Sequence, residues 1–171
     1  CKESFKFMKE LLNDFKLEIK EIYKCYRISH FSMYLTKQNY SLNKELENQI
    51  QNFKIIDEDL NEEISFTENN ILVGISENGK YQNMISGNTI VMFYQLWEDK
   101  FRKQIADKLS VEKNDVKSFI FSDLNILRQS IIHNNYKPIK EFKKISMLNF
   151  NMSDSLKLSS KDVSIIYHSI I

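Results

Sequence analysis

The chain has 171 residues, 42% of them apolar, and sets 24 basic against 23 acidic residues for a net charge of +1. That length and apolar share fit one sizeable core, or a core with an N-terminal elaboration, and exclude a disordered chain. Three glycines and one proline leave no room for a Gly-rich phosphate loop or a loop-rich sandwich, and near-neutral charge confines any nucleic-acid contact to a local patch.

The chain begins at Cys1 rather than Met and so reads as a fragment or a trimmed product; a mature lipoprotein also begins with cysteine, but nothing else supports one. Cys1 and Cys25 give neither metal-ligand spacing nor a disulfide framework, and read as reduced thiols of a cytoplasmic protein. No apolar run approaches the roughly 18–20 residues of a membrane span, so no membrane partner is expected.

Residues 3–36 read as a long amphipathic helix with a candidate break near Ser29-His30, since Phe5, Met8, Leu11, Phe15, Ile19, Ile22 and Tyr26 recur every three or four positions. Tyr23, Tyr26, Phe31 and Tyr34 read as core or dimer packing, and Arg27 with His30 as surface or packing residues. Leu42, Leu46, Ile50 and Phe53 predict a second helix over 42–56. The acidic run Asp57 to Asp59, with Glu62-Glu63, reads as a solvated face. Alternation at Ile64-Ser-Phe66, the turn signal Asn69-Asn70 and the β-prone Ile71 to Ile75 predict a small hairpin or extended insertion over 64–84. Ser86-Gly87-Asn88 marks the return to helix and divides 1–85 from 86–171, either as separate units or within one domain.

Thr89 to Leu109 predicts a strong helix centred on Trp97, with Val111 to Asp115 as a connector. Val116 to Lys137 carries the most informative pattern. Val116, Ile120, Leu124, Leu127 and Ile131 form one apolar stripe. At about 100° per residue, Arg128 lies roughly 70° from the middle of that stripe and His133 roughly 150°, with Gln129 between them. A strong base and a group that titrates near neutrality thus share an edge facing away from the core. Asn134-Asn135 and Pro138 then stop the helix. After it, Lys140, Lys143 and Lys144 make a basic cluster, and Lys161 to Ile171 predicts a closing helix.

Arg128-Gln-Ser-Ile-Ile-His133 fits the R-x4-6-H pattern of HEPN domains, helical bundles many of which are metal-independent ribonucleases. LRQSIIHNN resembles the family's "LRN-x-I-x-HN" run, Trp97-Glu98 its earlier "W-E" element, and residues 150–171 its tail of a short extended piece and last helix. The resemblance covers about 86–171 and leaves 1–85 unexplained. It implies a mainly α, HEPN-like helical bundle, here carrying the small β element.

The resemblance further implies an RNA endonuclease of a toxin–antitoxin or anti-phage defence system, acting as a homodimer on an RNA substrate, with an antitoxin or other defence-system protein as partner. Arg128 and His133 would be catalytic, with Asn134, Gln129 and Glu98 positioning the reactants, and no cofactor or metal. Gln129 stands where the family often has Asn or Asp. Glu98 has two readings: an ion pair with Arg102 at i+4, or a carboxylate reaching across to orient Arg128 or His133. The alternative to an enzyme is a non-catalytic HEPN-like module that binds RNA, a nucleotide or a protein.

Overall fold

The computed structural model describes residues 2–43, 52–57, 59–148 and 155–171. They are mainly helical. α1 (Lys2–Asn43) runs unbroken past Ser29-His30, about 63 Å at ~1.5 Å per residue. No break is needed because Ser29 donates its hydroxyl to the Cys25 carbonyl and Ser32 to that of Ile28, each four residues back along the ladder. α1 is anchored by Leu11, Phe15, Ile19 and Tyr26, whereas Ile28, Phe31, Tyr34 and Leu35 beyond them stay exposed. The predicted aromatic group therefore splits: Tyr26 is buried and Tyr23 stacks on Tyr167 at 3.9 Å, while Phe31 and Tyr34 face outward.

The structure corrects the middle of the chain. Instead of a helix reaching residue 56, β1 (Asn52–Asp57) pairs antiparallel with β2 (Glu62–Thr67), Phe53 lying opposite Phe66; residues 44–51 lie outside the described residues. The alternation at Ile64 to Thr67 does mark a strand, but its partner lies before it rather than after. Asn61 turns the chain with a φ of 51°, a left-handed conformation that Asn tolerates. Ile71 to Ile75, read as β-prone, belongs instead to α2 (Glu68–Ile75), whose N-terminus is capped by the Thr67 side chain accepting from the Asn70 amide. Tertiary packing outweighs β propensity there: Gly74 is buried where the Tyr81 ring lies, and a Cβ would overlap that ring.

Helix resumes at α3 (Lys80–Gln95), earlier than expected, so that Ser86 and Gly87 are buried inside it. α3 continues through a π-helical turn (Leu96–Phe101) into α4 (Arg102–Leu109). The wide turn is closed by Arg102 N–H donating to the Trp97 carbonyl. Phe93, Trp97, Phe101 and Ile105, spaced by four, would drift about 40° per step on a regular α-helix. The π turn takes up part of that drift, and all four are buried. After a 3₁₀ turn (Lys113–Asp115), α5 (Phe119–Ile132) forms the central helix, shorter at both ends than the 116–137 stretch predicts, with Val116 packing on the core from before its start. It is followed by a 3₁₀ turn (Lys140–Lys144) and α6 (Ser160–Ile170), the latter closed by a Ser159/Asp162 capping box.

α3 is the hub, packing against α1, α2, α5 and α6. Residues on both sides of position 86 enter one cluster, with Phe15 and Ile19 meeting Phe93, Trp97, Leu124, Leu127, Leu158 and Ile166. Phe15 packs edge-on against Trp97, Phe101 and Phe121, while Trp97 and Phe121 stack at 4.5 Å, so the aromatic centre fixes α5 against α1 and the π turn. No described helix is long and apolar enough to cross a membrane.

Candidate functional site

α5 buries Phe121, Leu124, Leu127 and Ile131, which fixes its rotation and turns Arg128, Gln129 and His133 toward one edge. It ends at His133, the C-cap, whose amide donates to the Gln129 carbonyl at 3.0 Å. Two consecutive left-handed residues follow, Asn135 (φ 49°) and Tyr136 (φ 61°). For a tyrosine this is an uncommon backbone state, costing on the order of 1–3 kcal/mol. Three contacts hold it: Tyr136 N–H donates to the Ser130 carbonyl at 2.9 Å, its carbonyl accepts from Leu156 N–H at 2.6 Å, and its ring covers Gly87 of α3. Burial raises the Tyr136 phenol above its usual pKa. The sharp stop folds the chain back so that Pro138, Ile139 and Lys140 face the end of α5.

Between them lies an open cavity of about 660 Å³ lined by Arg128, Gln129, His133, Asn134, Pro138, Ile139 and Lys140. Four of the five residues singled out from the sequence thus meet in one cavity. His133 is exposed, and its imidazole has no hydrogen-bond partner among the described residues. Asn134 lines the cavity, but its side-chain amide is engaged as a donor to the Lys137 carbonyl at 2.8 Å, bracing the turn. Lys140 brings one member of the basic cluster into the cavity; Lys143 and Lys144 are exposed.

Arg128 is half-buried, with its guanidinium carbon 5.6 Å from the Tyr94 ring centroid. Its Nε–H is buried and has no acceptor. Leaving such a donor unpaired costs about 1–3 kcal/mol, more for a charged group. Arg128 also lines the cavity, so its side chain sets a forked cation there beside that buried nitrogen.

Glu98 lies on the far side of Tyr94. Its carboxylate accepts from Arg102 Nη1 at 2.8 Å, pairs with Lys113 Nζ at 2.8 Å, and receives a long 3.5 Å contact from the Tyr94 hydroxyl. This is the i+4 pairing, extended by Lys113, and it reaches toward Arg128 only through the tyrosine. Burial works against the ionised carboxylate, but the two cationic donors outweigh it and hold the pKa below the usual range. Tyr94 titrates above its usual range, through burial first and the nearby Glu98 charge second.

Set against family models, curated proteins and solved structures, the chain matches none. Its chemistry therefore rests on its own side chains. Among the described residues, no three His, Cys, Asp or Glu side chains gather as a metal site would need. The cavity offers one proton-transfer group, one forked cation, one point cation and an amide. That set suits an anionic substrate whose reaction moves protons.

Sequence reasoning missed Tyr94, Tyr136 and Asp123. Tyr94 was readable only as a partly apolar helix position, and Tyr136 as a residue after a helix stop. Asp123 is buried in α5, with Oδ2 accepting from Ser146 N–H, Ser146 Oγ–H and Met147 N–H at 2.9, 3.1 and 3.1 Å. It fastens the segment after Lys144 to the helix that carries the site. An acidic residue next to an apolar stripe was its only signal.

Proposed function

We propose that the chain is a metal-independent RNA endonuclease of the HEPN type, working as a homodimer in a toxin–antitoxin or anti-phage defence system. The observation that carries this reading is that Arg128 and the unpartnered His133 imidazole line the same open cavity. A ribose 2′-hydroxyl loses its proton and its oxygen attacks the adjacent phosphorus. The bond to the 5′-oxygen breaks, and that oxygen takes up a proton. The products are a 2′,3′-cyclic phosphate, which can open to a 3′-phosphate, and a 5′-hydroxyl. Histidine supplies the proton transfer, and the arginine fork takes the charge that builds on the phosphate oxygens. Gln129, Asn134 and Lys140 border the path of the strand, while Glu98 acts at one remove by holding Arg102 and Tyr94 in place.

One histidine cannot serve both sides of one phosphorus. Two copies around a twofold axis would bring two His133 and two Arg128 to one cleft. The exposed position of His133 at the end of α5 supports such a meeting. A second reading, a non-catalytic module that binds RNA, a nucleotide or a protein, is favoured by one observation: no described carboxylate holds the His133 ring.

The test is cleavage of mixed RNA by purified protein in excess EDTA. Wild type should cut, and His133→Ala should lose about 10²–10⁴ in rate, the usual worth of a positioned acid–base group. Arg128→Lys should lose about 10²–10³, because charge survives but the fork does not. Cleavage abolished by EDTA, or undiminished in His133→Ala, contradicts the mechanism. RNA binding without cleavage by wild type would favour the module.

A further inference from the structure

A second cavity, about 380 Å³, opens at the other end of α5, with the Glu98–Arg102 ion pair on its wall. Tyr94, Trp97 and Phe121 line it, the last two stacked in parallel. Phe119 stands at its mouth with 95% of its surface exposed, whereas no other large apolar side chain among the described residues exceeds 67%. This phenyl ring beside an aromatic cavity has no stacking partner among the described residues. Asn125 also lines the cavity, half-buried, and its amide makes no hydrogen bond among the described residues.

Residues of α5 line both cavities. Ser122, Asn125, Gln129 and His133 follow one another at spacings of three and four, so they form one polar stripe along α5. Tyr94 lines the aromatic cavity, and Arg128 of the first cavity lies 5.6 Å from its ring centroid. Ser122 and His133 are about 16 Å apart along the helix at ~1.5 Å per residue. That is the length of about five stacked nucleotides at ~3.4 Å each.

We propose that the cavity bounded by Phe119, Trp97, Phe121 and Asn125 is a nucleobase subsite for single-stranded RNA. The base stacks on the exposed Phe119 ring and the Asn125 amide meets its hydrogen-bonding edge, while the backbone runs along the α5 stripe toward Arg128 and His133. Aromatic faces accept any base, and an amide that both donates and accepts can read an edge. Phe119 at the mouth offers the open ring, and Asn125 within supplies the polar group. This inference rests on the ribonuclease reading for its choice of RNA, but it predicts binding and not catalysis.

The experiment uses His133→Ala protein as parent, so that RNA stays intact, and follows the fluorescence of Trp97, the one tryptophan of the chain. Probes are short oligomers of adenosine and of uridine, with an abasic ribose-phosphate oligomer as control. The base-bearing oligomers should quench Trp97 and the abasic one should not. Phe119→Ala and Asn125→Ala should each weaken binding about tenfold or more, the scale of one lost base stack. Phe119→Tyr, which keeps the ring, should bind like the parent. Phe119 is fully accessible, so its truncation leaves the core intact. Parent-like affinity in Phe119→Ala and Asn125→Ala, equal binding of the abasic oligomer, or no RNA binding at all overturns the subsite. Wild type that cleaves while Phe119→Ala binds normally removes the subsite and leaves the ribonuclease reading; Phe119-dependent binding by a wild type that never cleaves does the reverse.

Discussion

Gly87 and Tyr136 show how one residue near the site depends on another across the bundle. A Cβ on Gly87 would overlap the hydroxyl end of the Tyr136 ring. Alanine in mid-helix gains about 1 kcal/mol over glycine, but forcing a ring out of a packed position costs about 1–3 kcal/mol. Gly87→Ala should therefore destabilise the protein by about 1 kcal/mol on balance. In a Tyr136→Gly background the obstacle is gone, and the same substitution should stabilise by about 1 kcal/mol. Chemical denaturation of the four proteins checks this reversal of sign, and an unchanged sign would show that the contact carries no energy. At this scale the site was partly legible in the sequence. Arg128, Gln129 and His133 could be placed on one edge because helical spacing fixes directions without knowledge of neighbours. Tyr94 and Tyr136 could not, because what they do is set by Arg128 and Gly87, residues that only the tertiary fold brings to them.

α5 is both the carrier of the site and the post to which the following segment is tied. Asp123 holds that segment with three donors on one carboxylate oxygen. Removing it takes the acceptor from three part-buried bonds whose donors can turn partly to water, so Asp123→Ala should cost about 1–2 kcal/mol. Asp123→Asn keeps one acceptor oxygen and should cost less. The denaturation midpoint measures both, and equal stability of wild type and Asp123→Ala would contradict the tether. Long elements were the legible ones: α1, α3 with α4, α5 and α6 all follow apolar positions spaced by three or four. Two short elements were misread for different reasons. Phe53 belongs to a strand whose identity depends on pairing with Phe66, and Ile71 to Ile75 coil because Gly74 lets Tyr81 close on them. The π turn was invisible, since a drift in rotation leaves no mark in the residue types.

For the whole molecule, the proposed reaction needs a second copy of the site. Its core draws together α1, α3, α5 and α6 and leaves the end of α5 exposed, with one histidine and one arginine at an open cavity. If two protomers complete each other, a dimer with one His133→Ala chain lacks the second proton-transfer group. Co-expressing wild-type and His133→Ala chains in varied ratio, then measuring RNA cleavage in excess EDTA, tests this most directly. The account predicts that activity falls with the square of the wild-type fraction, because only dimers with two intact chains cut. Activity falling in simple proportion would mean that each protomer carries a complete site, and would contradict the account.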